Sequence, residues 1–120
     1  DWGVHGIGHE ISLLYDTAHG ATLSIGYIAW LKLHQDRIPD RIIKLGKNLF
    51  GVGTVDETIM RLEQFFRKIN SPVRLTEIGL DESSKQELLA QLNKNNVSGM
   101  NLALTGNDRK KLVDLMSQTF

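Results

Sequence analysis

The chain has 120 residues, enough for one compact domain, and its 14 Lys and Arg balance 14 Asp and Glu. The two signs are interspersed, with no basic block or acidic tail, so nothing draws the protein to nucleic acid or to anionic lipid. The lack of cysteine excludes a disulfide framework, a cysteine-based zinc site and a thiol nucleophile, and leaves the redox compartment open.

The most apolar stretch, Ala21 to Leu33, is broken by Thr22, Ser24, Gly26 and Lys32 and is too short and polar to span a bilayer. The first ten residues, rich in Gly and His, hold no apolar segment of a signal peptide, so the expected setting is the cytoplasm with no membrane partner. The opening Asp1-Trp2-Gly3-Val4-His5, without methionine, fits a cleaved terminus or an excised piece equally well.

Helical periodicity dominates and no period-two strand stands out, which predicts an all-α helical bundle forming one domain over residues 1–120. From Trp2 to Tyr15, Val4, Ile7, Ile11 and Leu14 recur at spacings of three and four. Gly3, Gly6 and Gly8 cost that helix about 1 kcal/mol each against alanine, a cost that makes sense if something large approaches the backbone closely. Thr17 to His34 is apolar nearly all the way round, and a helix without a polar face belongs at the middle of a bundle.

A third helix starts between Asp36 and Asp40, with Pro39 in its first turn, and carries Ile38, Ile42, Leu45 and Leu49 as one stripe. Gly51-Val52-Gly53 ends it; without a preceding strand this is a terminating turn rather than a phosphate loop. Thr54 with Glu57 forms a capping box for a fourth helix whose face is Val55, Ile59, Leu62, Phe66 and Ile69. Pro72 stops it, and Val73 to Leu80 reads as a loop anchored by Leu75 and Ile78. Asp81 caps a fifth helix that fades at Asn95-Asn96, and Thr105 with Asp108 caps a last one bearing Leu112, Leu115 and Met116.

Three of the four histidines, His5, His9 and His19, lie within fifteen residues. Four residues on a helix put His5 and His9 on one face, about 6 Å apart along the axis, which suits two ligands of one metal. Gly6 stands where the metalloprotease pattern requires a glutamate, so that reading fails. His19 meets the others only if the chain turns near Asp16-Thr17-Ala18, with Asp16 or Thr17 as cap. A lone histidine is ordinarily a surface or satisfied core residue; the cluster beside glycines is what points to a metal. His34, alone at a helix end, is accounted for by the C-terminal dipole. Trp30, Phe65 and Phe66 read as core rather than as a binding box.

His5-Gly6-Ile7-Gly8-His9-Glu10-Ile11-Ser12, then Tyr15, then Thr17-Ala18-His19-Gly20, resembles the metal-binding signature of the iron-containing (group III) alcohol dehydrogenases, including the fourteen-residue step from His5 to His19. Ala29-Trp30-Leu31 and Ser71 to Leu80 are similar to the NADPH-dependent butanol dehydrogenase and aldehyde reductase branch.

The resemblance implies the C-terminal part of a dehydroquinate synthase-like helical domain. His5 and His19 would be two ligands of one divalent metal, Fe(II) or Zn(II). It places His9 in the cleft near the nicotinamide and substrate, as the catalytic and cofactor-contacting candidate that relays the alcohol's proton. It further implies an NAD(P)-dependent interconversion of a primary alcohol and its aldehyde, with the metal as Lewis acid, in a homo-oligomer. The other two ligands and the nucleotide-binding domain would lie upstream, so this chain alone is expected to be inactive. The apolar second helix would then lack neighbours and drive self-association.

Two other readings compete. One is a non-enzymatic helical interaction module that binds a partner through its second helix. The other is a zinc hydrolase using His5 and His9 with Glu10 as base, whose third ligand would have to be His19, Asp16 or Glu10.

Overall fold

Helical periodicity becomes six helices and one 3₁₀ turn in this computed structural model, which describes residues 3–16 and 19–117, and for residue 19 the backbone alone. The helices are α1 (Gly3–Tyr15), α2 (His19–Leu33), α3 (Pro39–Phe50), α4 (Val55–Lys68), α5 (Glu82–Lys94) and α6 (Gly106–Ser117). The described residues contain no strand, so the fold is all-α as the periodicity requires.

Local chemistry accounts for most boundaries. Pro39 is the first residue of α3, where its missing N–H is no loss. Gly51 ends that helix at φ +69°, a left-handed position open to glycine, so the Gly51-Val52-Gly53 stretch is a terminating turn. Thr54 Oγ1 accepts from the Glu57 backbone N–H at 3.1 Å, and Asp81 accepts from that of Ser84 at 3.2 Å. Thr105 and Asp108 cap α6 reciprocally: Thr105 Oγ1 accepts from Asp108 N–H and Asp108 Oδ2 from Thr105 N–H, both at 3.1 Å.

The apolar second helix is the hub. Ile25, Ala29, Trp30 and Leu33 enter one core cluster with residues of α1, α5 and α6. Ile28 and Leu31 enter a second with Ile42 of α3 and Ile59 and Leu62 of α4. A helix that feeds two cores from opposite sides has no face to spare for polar groups. The expectation that its neighbours would be missing is therefore corrected: this chain covers α2 itself, and Tyr27 is its one exposed large side chain among the described residues.

The glycines of α1 make that packing possible. A Cβ on Gly3 would stand 2.2 Å from the Trp30 ring, and one on Gly8 would stand 2.8 Å from Thr22 Oγ1. What approaches the α1 backbone so closely is α2 itself.

Four smaller expectations change. The Val73–Leu80 loop contains a 3₁₀ turn, Leu75–Ile78, because the Glu77 carboxylate accepts from the Val73 and Arg74 N–H groups and closes it. Leu49 and Ile69, assigned to buried stripes, are exposed because each sits at the end of its helix, beyond the reach of the partner. Phe65 is also exposed at 47%, since Phe66 takes the inward position of α4. His34 is fully buried, and burial together with the neighbouring Arg37 lowers its pKa; a neutral imidazole is not what a helix dipole would hold there.

Candidate metal centre

His5 and His9 occupy successive turns of α1, and Ser12 follows one turn further on. This polar stripe is rotated away from Val4, Ile7 and Ile11, which face the core. His5 is half-buried and His9 exposed, so α1 holds one imidazole against the protein and presents the other outward.

The chain turns where the sequence requires it. Asp16, at φ +50°, donates its N–H to Ser12 O at 2.9 Å and terminates α1. Thr17, the other cap candidate, lies outside the described residues. Helix α2 then begins at His19.

Gly8 against Thr22 sets the antiparallel register of the two helices. His5 is three residues before Gly8 and His19 three before Thr22, so their backbones are offset by about 9 Å along the axis. Side chains as long as histidine can converge across such an offset. The His19 side chain, and with it the expected His5–His19 pairing, lies outside the described residues.

The donor chemistry fits a divalent metal in part. Neutral imidazoles suit Zn(II) and Fe(II) alike, and the glycine-mediated contact gives α1 a rigid backing. Among the described residues no group of three or more His, Cys, Asp or Glu could hold a metal ion. A metal bound by these histidines would have to complete its shell from elsewhere.

Two neighbours of the stripe have structural work. Glu10 Oε1 accepts from Asn95 Nδ2 at 2.9 Å, tying α1 to the end of α5. That bond engages one oxygen of the carboxylate the hydrolase reading needs as its base, and the other, Oε2, is buried. Tyr15 donates its hydroxyl to Ser84 O at 3.1 Å, and burial, with Glu87 and Asp81 nearby, raises its pKa above the usual phenol value.

Sequence reasoning missed the buried Arg74, which is 2% exposed and pairs with Glu63 at 2.6 Å. It also missed the link from His34 through Arg37 to Asp108. Neither has a local signature, since the partners are brought together only by the fold.

The described residues thus form an all-helical domain with His5 and His9 on its first helix and His19 as the first residue of its second. The family described as "Fe-containing alcohol dehydrogenase family, C-terminal" matches residues 1–119, and the chain belongs to that family. The NADP-dependent alcohol dehydrogenase 3 of Entamoeba histolytica is 32% identical over 79 residues, covering 64% of this chain and 21% of that protein. The NADPH-dependent aldehyde reductase YqhD of Escherichia coli K12 is 25% identical over 104 residues, covering 82% of this chain and 27% of that one. The crystal structure of NADH-dependent butanol dehydrogenase A from Thermotoga maritima matches with a TM-score of 0.86 at 25% identity, over 98% of this chain and 33% of that chain. The chain thus spans between 21% and 33% of the length of these relatives. No helix among the described residues is long and apolar enough to cross a membrane.

Proposed function

We propose that this chain is the metal-binding helical part of an NAD(P)-dependent alcohol dehydrogenase that interconverts a primary alcohol and its aldehyde. The observation that carries the reading is the histidine pair on α1 followed by His19 at the start of α2, in a chain matched by the family over residues 1–119. His5 and His19 hold the metal, with the remaining ligands and the nucleotide-binding domain on another part of the polypeptide. When bound, the metal supplies Lewis-acid polarisation of the substrate oxygen.

The chain's own residues prepare the site. The Gly3–Trp30 and Gly8–Thr22 contacts lock α1 to α2, which fixes the two metal-holding backbones relative to each other. His9, exposed one turn beyond His5, faces substrate and nicotinamide, accepts the alcohol proton and passes it to solvent. The relatives' names include both NADP(H) and NADH, so the nicotinamide is the shared chemistry. The intact enzyme acts as a homo-oligomer in the cytoplasm.

Calorimetric titration of the chain with Zn(II) tests the assignment. Binding should be weak, lost in His5→Ala and in His19→Ala, and retained in His9→Ala. No nicotinamide-linked alcohol oxidation should accompany it, because a half-site without a cofactor domain cannot turn over. A folded chain that binds zinc equally well in all three variants would overturn the ligand assignment.

A further inference from the structure

His34 is fully buried at the end of α2, with its ring 4.4 Å from that of Trp30 in an edge-on arrangement. Its Nδ1 lies 3.3 Å from Arg37 Nη1. A guanidinium can only donate, so Nδ1 must be the acceptor and the ring proton must sit on Nε2. Nε2 is itself buried, with no hydrogen-bond partner among the described residues. The other arm of Arg37, Nη2, donates to Asp108 Oδ1 at 2.6 Å. Asp108 is the residue whose second oxygen caps α6. One guanidinium therefore couples the protonation state of a buried imidazole on α2 to the first turn of α6.

We infer that His34, Arg37 and Asp108 form an acid-sensitive latch that holds α6 on α2. A second proton on the imidazole can go only to Nδ1, the atom that accepts from Arg37. It turns that contact into donor facing donor and places a buried cation beside the guanidinium. Arg37 must move, and its hold on the α6 cap goes with it.

The charged groups acting on His34 are Arg37, from the turn after α2, and Asp108, from α6. Arg37 opposes protonation and Asp108 favours it, and burial, the largest influence, also opposes it, so the pKa falls below the ordinary 6.5. The unfolded imidazole thus takes up its proton first. The latch is whole above pH 6.5 and weakens as the pH drops below it.

The test is residue-resolved NMR on this chain between pH 7.5 and 5. Nitrogen shifts should report the Nε2–H tautomer for His34 and a titration midpoint under 6.5. Amide protection in α6, corrected for intrinsic exchange, should fall by up to about tenfold per pH unit below 6.5, the slope of one coupled proton, while α3 and α4 keep theirs. His34→Gln retains an acceptor for Arg37 but cannot be charged, and should abolish the pH step. Should that variant not fold, Arg37→Gln serves instead: α6 protection is already low at pH 7 and its step below pH 6.5 is diminished, burial alone still opposing the second proton on His34. Replacing His5, His9 and His19 together by glutamine should leave the step in place. An Nδ1–H tautomer, a midpoint at or above 6.5, or an α6 step that survives in the His34 variant or is undiminished in the Arg37 variant would each overturn the latch.

Discussion

Gly46 and Gly20 are both helical glycines, yet their surroundings are opposite. A Cβ on Gly46 would stand 1.9 Å from Thr58 Oγ1 and 3.0 Å from Val52 Cγ2, so α3 cannot keep its distance from α4 if one is added. Gly46→Ala should lower stability by about 1–3 kcal/mol, the usual cost of overpacking. Among the described residues nothing lies within 4 Å of a Cβ on Gly20, and Gly20→Ala should raise stability by up to about 1 kcal/mol through helix propensity. Thermal unfolding separates the two, and equal midpoints would refute the packing argument.

The buried Arg74–Glu63 pair acts at the same scale. Glu63→Gln removes the countercharge of a guanidinium that has 2% exposure and should cost about 3 kcal/mol by urea denaturation. A loss under about 0.5 kcal/mol would mean that other contacts of Arg74 suffice. None of these residues was legible beforehand as a site of close approach, unlike the glycines of α1. The partner of Gly46 and that of Arg74 are distant in sequence and leave no local pattern.

Helix ends obey local rules, and the caps at Thr54, Asp81 and Thr105 could be read residue by residue. Thr54→Ala should cost about 1 kcal/mol and Asp81→Ala should destabilise in the same direction, each measurable as a shift in denaturant midpoint at unchanged slope. The cap of α6 has a further charge partner that no capping rule contains. The hydrogen bond from Arg37, helped by the Thr105 backbone N–H, lowers the Asp108 carboxyl from 3.8 to about 2. Its pKa is depressed in the folded state, so its contribution is full above about pH 4 and lost as the pH falls toward 2. Helical circular dichroism followed through that window should show an acid limb that Asp108→Asn flattens. An unchanged limb would remove Asp108 from the account of acid stability. The 3₁₀ turn at Leu75–Ile78 was legible only as anchors, because its closure depends on where the Glu77 carboxylate points.

For the molecule as a whole, the decisive element is α2. Its apolar circumference correctly placed it at the centre, but periodicity cannot say who supplies the cover. The chain supplies it, with α1, α5 and α6 on one side and α3 and α4 on the other. That weakens the argument for self-association through an open α2 face. The exposed apolar residues that remain, such as Leu13, Leu49, Phe65 and Met100, are spread over different elements. The sequence by itself determined the helical class, most helix ends and the histidine signature, because hydrophobic period, caps and ligand spacing are local properties. Only the tertiary structure decided that α1 and α2 touch through glycine, that Glu10 is bound by Asn95, and that His34 is buried, neutral and wired to α6. Those outcomes depend on contacts between residues far apart in the chain, where burial and partner geometry, rather than neighbouring sequence, set the chemistry of each group.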